Sequence, residues 1–155
     1  EKILKRQGAT ILTGVIKKKE YLKLKKGFNN KYNIIGDLDL FFRLSKQCKI
    51  KYIHKVLAVY RLHENNYLKT NKNSEIIELK DWYKNYILKQ KYSNSREKKI
   101  IKNTNLLKEI IFLLVSNKRF LSAKKIIFFQ NTFLKIKLIV SLFLPLFIIK
   151  RILIF

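Results

Sequence analysis

The chain is 155 residues long, enough for one domain with a core, and sets 35 Lys and Arg against 10 Asp and Glu for a formal net charge of +25. Its single cysteine, Cys48, excludes an internal disulfide and a thiolate metal cluster and fits a reducing compartment. Lys outnumbers Arg by 29 to 6, which points to A+T-biased coding rather than to a phosphate-reading face, where Arg is favoured. The charge therefore fits an acidic membrane surface at least as well as nucleic acid, and no specific nucleic-acid partner is expected.

Residues Ala9–Ile16 (ATILTGVI) are apolar and β-branched, which predicts a buried strand. Lys17–Lys26 reads as a short basic helix carrying Tyr21, Leu22 and Leu24, stopped by Gly27. Phe28–Ile35 is a loop, and a helix from about Asp37 to Lys46 follows, with Leu40, Phe41 and Leu44 on its core face. Ile50–Ile53 and Leu57–Leu62 read as two strands joined across His54-Lys55. Beyond Asn65-Asn66 the pattern turns helical. A helix is predicted over about Ser74–Gln90, its apolar face including Ile76, Leu79, Trp82 and Ile87. Tyr92–Ser95 breaks it, and Asn94 or Ser95 caps the next helix, which runs to about Val115. After a break at Ser116-Asn117, Arg119–Phe129 is a third helix, and Asn131-Thr132 caps a last segment reaching the chain end. The mixed first part and the helical second part divide near residue 68.

Polar chemistry gathers in two short stretches, Gly36-Asp37-Leu38-Asp39 at a helix start and Tyr60-Arg61-Leu62-His63 at a strand end. Asp, Arg and His at element ends are how reactive groups are commonly mounted on an apolar scaffold. Asp37 is either an N-cap or a functional carboxylate kept ionised by the helix dipole. Asp39 lies four residues before Arg43, so an ion pair along one helix face is its default reading. Arg61 and His63, two apart in a predicted strand, point to the same side; a histidine there is a surface or capped residue, or a ligand. His54 reads as structural.

Four landmarks in order and spacing resemble the C-terminal half of the GT-A domain of family 2 glycosyltransferases, especially bacterial sugar transferases of envelope polysaccharides. They are the predicted strand before Lys17, the Gly27-Phe28 step, the D-x-D-L-x-x-R-L helix Asp37–Leu44 and the Y-R-x-H-x-x-N stretch Tyr60–Asn66. The resemblance runs from about Ala9 to Asn66, somewhat over a third of the chain. It implies an α/β fold: a partial, Rossmann-like GT-A domain over 1–67, a helical extension over 68–131 and a hydrophobic, membrane-associated helix over 132–155.

The resemblance also implies inverting sugar transfer from a nucleotide-sugar donor to a saccharide or lipid-linked acceptor, with Asp37 as general base. Position matters more than basicity, because an ordinary Asp titrates at about 3.9 and is ionised at neutral pH. Family members commonly carry Glu-Asp where this chain has Gly36-Asp37, so the first acid is absent. Asp39 would contribute to the acceptor pocket. Arg61 and His63 would lie near the donor diphosphate, with His63 also helping to hold a divalent cation, Mg or Mn. Most of that cation's ligands, and the nucleotide-binding half, lie N-terminal in the family. Asp37-Leu38-Asp39 spells Asp-x-Asp but matches the base motif. The sequence has no such half and no Met, so it is expected to be a fragment, inactive by itself.

Leu138–Ile149 is almost continuously apolar, between Lys135 and Lys137 on one side and Lys150-Arg151 on the other. Twelve residues cannot span a hydrocarbon core, which needs about 20, and Pro145 interrupts them. The segment predicts an interfacial or re-entrant anchor on the cytoplasmic face of the cell membrane, or else a core helix of a C-terminal bundle. A second reading of the whole chain belongs to another class. It is a non-catalytic basic helical protein that adheres to anionic membrane or nucleic acid.

Overall fold

The computed structural model describes residues 11–51, 53, 55–59, 61, 63, 66–67, 71–89 and 95–153. Helix accounts for 63 % of these and no strand or sheet occurs among them. The expected α/β, GT-A-like domain is thus overturned, and the described part is all-α. The stretches read as strands, 9–16, 50–53 and 57–62, are irregular wherever they are described; residues 9, 10, 52, 60 and 62, like His54, lie outside the described set. The physical reason is that β-propensity measures how well a side chain packs on a pleated neighbour, not a backbone preference. Val15 and Val56 are 99 % and 91 % exposed, so no neighbour is there.

The chain divides into two compact units, Glu1–Leu79 and Lys80–Phe155. In the first, α1 covers only Lys18–Leu22, against the expected Lys17–Lys26. Six of those ten residues are Lys, and like charges three and four apart oppose each further turn. What remains is tied by Glu20 accepting from Lys23 Nζ at 2.9 Å. Helix α2, Gly36–Gln47, buries Leu40, Phe41, Phe42 and Leu44. Leu40, Phe41 and Leu44 join Leu24 in a small core, with Ile16 and Tyr21 packed against it. Gly14 is required there, since a Cβ at that position would collide with the Phe41 ring. Helix α3, Lys72–Asp81, contributes Ile76 and Leu79 to this unit's buried residues.

The second unit begins with a π-helical stretch, Trp82–Ile87, in which Leu88 N–H reaches back five residues to the Tyr83 carbonyl. Helix α4, Ser95–Val115, is the long element. It ends where Asn117 turns into the left-handed region at φ 57°. Asn117 N–H bonds the Leu114 carbonyl and Lys118 N–H the Leu113 carbonyl, a paired C-terminal closure that Asn tolerates better than branched residues. Helix α5, Arg119–Ile126, follows, and α6, Thr132–Ser141, is capped by Asn131 Oδ1 accepting from Leu134 N–H at 3.0 Å.

The final segment, expected as one helix, is two. Residues 142–145 separate α6 from α7, Leu146–Leu153, because Pro145 has no N–H to continue the first helix. Its carbonyl instead accepts the first bonds of α7, from Ile148 and Ile149. Ile110 and Leu114 of α4, Ile126, Phe129, Leu138 of α6 and Ile149 of α7 form one core cluster. The core-helix reading of the tail therefore describes its inward positions. Leu138 and Ile149 are buried, while Phe143 is 80 % and Phe147 73 % exposed. No helix among the described residues is long and apolar enough to cross a membrane.

Candidate functional site

The start of α2 is held by a residue from far along the chain. Glu78, on α3, accepts from the backbone N–H groups of Asn33, Ile34 and Ile35 at 3.1, 2.9 and 3.1 Å. Three successive donors on one carboxylate fix the loop that leads into the helix and set its first turn. Sequence reading misses Glu78 because its partners lie 43 to 45 residues away, beyond any local pattern.

Asp37 sits in that first turn, half-buried, and its Oδ1 accepts from Leu38 N–H at 2.7 Å. It is not the N-cap, since that position belongs to Ile35, which makes no side-chain cap. The carboxylate instead lies in the first turn, at the positive end of the helix dipole.

Asp39, two residues on, is placed quite differently. It is 0 % exposed, and its Oδ2 accepts from Arg43 Nε at 2.9 Å. The Arg43 guanidinium continues to the Lys26 and Gly27 carbonyls at 2.6 and 2.5 Å. Asp39 and Arg43 thus clamp α2 to the chain after α1. A sealed carboxylate with its own guanidinium offers no face to an acceptor, so the expected acceptor-pocket role does not follow. The ion-pair reading describes Asp39.

Arg61 and His63 are both exposed and lie in irregular chain, not on a strand. Asn66 holds this stretch: its Oδ1 accepts from His63 N–H, and its Nδ2 donates to the Arg61 carbonyl at 3.4 Å. Both interactions use backbone atoms, leaving the imidazole and guanidinium to solvent. Among the described residues no hydrogen bond or ion pair joins either side chain to Asp37. Nor does any group of three or more His, Cys, Asp or Glu there suit a metal ion. The described residues do not fit a cation site.

The second unit carries a different kind of surface. Phe120, Ile127, Phe128, Phe133, Phe143 and Phe147 are each at least two-thirds exposed. Lysines stand among them: Lys124 Nζ lies 4.4 Å from the Phe120 ring centre and Lys137 Nζ 4.6 Å from that of Phe133. Aromatic rings interleaved with ammonium groups suit the boundary between headgroups and acyl chains. The chain matches no protein-family model, no curated protein and no solved structure.

Proposed function

We propose that the chain is part of a glycosyltransferase that works at a membrane surface, moving a sugar from a nucleotide-sugar donor to a saccharide or lipid-linked acceptor. Asp37 is its general base. The observation that carries this reading is the division of labour between two acids in one helical turn. Asp39 is committed to Arg43, whereas Asp37 is half-buried at the dipole's positive end with only a neighbouring N–H on Oδ1. In the reaction Asp37 takes the proton of the acceptor hydroxyl as that oxygen attacks the anomeric carbon. The bond from that carbon to the donor phosphate breaks, and the nucleoside diphosphate leaves with the electron pair. Arg61 and His63, with their polar heads toward solvent, are available to the diphosphate as it gains charge. The expected Mg or Mn belongs to this reading but draws no ligand set from the described residues.

The test uses the complete protein. Asp37→Asn preserves size and the Leu38 N–H interaction but removes the base, so transfer falls by about a hundredfold to ten-thousandfold with folding unchanged. Transfer at near the original rate would leave Asp37 as a helix-end residue only.

A second reading, a non-catalytic basic protein on an anionic membrane, is favoured by the exposed phenylalanines among lysines. The cytoplasmic face of the cell membrane suits both readings, since anionic lipid there attracts Lys and Arg. Phe143→Ser with Phe147→Ser should lower partitioning onto anionic vesicles by about a hundredfold, from ~1.5 kcal/mol per ring withdrawn. The melting temperature should hardly move, since neither ring is in the core. Undiminished partitioning would remove membrane attachment through these residues. Loss of binding with salt but not with lipid composition would mark nucleic acid instead.

A further inference from the structure

Helices α4 and α5, with the π-helical stretch, enclose an open cleft of about 590 Å³ within the second unit. That volume lies in the range of small-molecule sites. Four lysines, Lys80, Lys102, Lys124 and Lys125, line it against one carboxylate, Glu109. Glu109 Oε1 is shared between Lys80 and Lys125, the latter at 3.2 Å. Lys102 and Lys124 have no carboxylate partner among the described residues. The cleft therefore carries excess positive charge that nothing in it neutralises. Its remaining walls are largely apolar, from Leu106, Leu121 and Phe128, and the last two are exposed at its mouth.

The register explains this composition. Lys102, Leu106 and Glu109 recur at helical spacing on one face of α4, and Leu121, Lys124, Lys125 and Phe128 do so along α5 and just beyond. The π-helical stretch adds Tyr83 to the lining. Such widened turns are rare and occur often at functional sites. Burial raises the Tyr83 pKa above its ordinary value, so the hydroxyl remains a neutral donor.

We propose that this cleft binds a phosphate-bearing amphiphile, the phosphate between Lys102, Lys124 and the Tyr83 hydroxyl and the apolar part along Leu106, Leu121 and Phe128. Two ammonium groups and a hydroxyl suit a phosphate, which accepts charge-assisted bonds from each. The apolar walls add nothing for inorganic phosphate but favour an attached hydrocarbon chain. This site is independent of Asp37 and of sugar transfer.

The whole chain is titrated with inorganic phosphate, with monomeric short-chain phosphatidic acid, and with phosphatidylcholine vesicles with and without long-chain phosphatidic acid. The short-chain lipid should bind at least tenfold more tightly than inorganic phosphate, and vesicles should bind only when they contain phosphatidic acid. Lys102→Gln with Lys124→Gln should weaken short-chain lipid binding by about tenfold for each charge-assisted bond removed. Lys137→Gln with Lys150→Gln removes the same charge outside the cleft and should change it less than threefold. Binding to vesicles but not to the monomeric lipid would assign the effect to the bilayer surface and overturn the site. Equal binding of inorganic phosphate would overturn the amphiphile. Equal losses from the two lysine pairs would reduce the cleft to general attraction. Lys102, Lys124, Lys137 and Lys150 are all exposed, and unchanged circular dichroism confirms that each variant is folded.

Discussion

Arg43 in the first unit and Arg119 in the second each set one guanidinium on two backbone carbonyls well removed in sequence, yet they balance their charge in opposite ways. Arg43 holds the Lys26 and Gly27 carbonyls and is matched by Asp39, a fully buried carboxylate. Arg119 holds the Leu142 and Leu144 carbonyls at 2.7 and 2.8 Å, and its Nε meets Asn117 Oδ1, a neutral group. Arg119 lies at the exit of α6, where the negative end of a helix dipole offsets the cation. Arg43 lies beside a core, where only an ion can do so. Two of the chain's six arginines are thus spent on architecture, which further weakens any reading of its charge as nucleic-acid recognition.

The sharpest way to break this contrast is to remove the counter-ion. Asp39→Ala leaves Arg43 poorly solvated and unpaired, and should cost about 3 kcal/mol in urea unfolding of the whole chain. A loss below ~1 kcal/mol would mean that Arg43 reaches water and the two clamps are alike. Arg119→Ala removes three charge-assisted bonds, two of them to backbone carbonyls, without stranding any ion, and about 2 kcal/mol is expected from the same measurement. The smallest effect concerns Ser122 on α5, whose buried Oγ has no hydrogen-bond partner among the described residues. Ser122→Ala should leave stability unchanged or raise it by about 1 kcal/mol, and a clear loss would reveal a bond to that hydroxyl.

The parts of the fold legible in the sequence are those set by neighbours a few residues apart. The α2 core face at Leu40, Phe41 and Leu44, the Asn131 cap and the interruption at Pro145 all follow from local spacing. The Asp39–Arg43 pair was equally readable from its four-residue step. The strands were not, because alternating β-branched residues become a strand only beside a partner, and sequence does not report the partner. At the candidate site, Asp37's place in the first turn was legible, whereas Glu78, which holds the preceding loop, was not. Nor was the cleft, since it needs α4 and α5 to face each other.

The uncovered valines carry a practical consequence for anyone handling this chain. Lys55–Val59 is irregular and carries no backbone hydrogen bond among the described residues, with Val56, Leu57 and Val59 all largely open to solvent. A short β-branched segment with free backbone groups is a template for association with its own copies. Concentrated samples should form oligomers that bind thioflavin, and a Val56→Lys, Val59→Lys pair should keep them dispersed by placing like charges along the would-be seam.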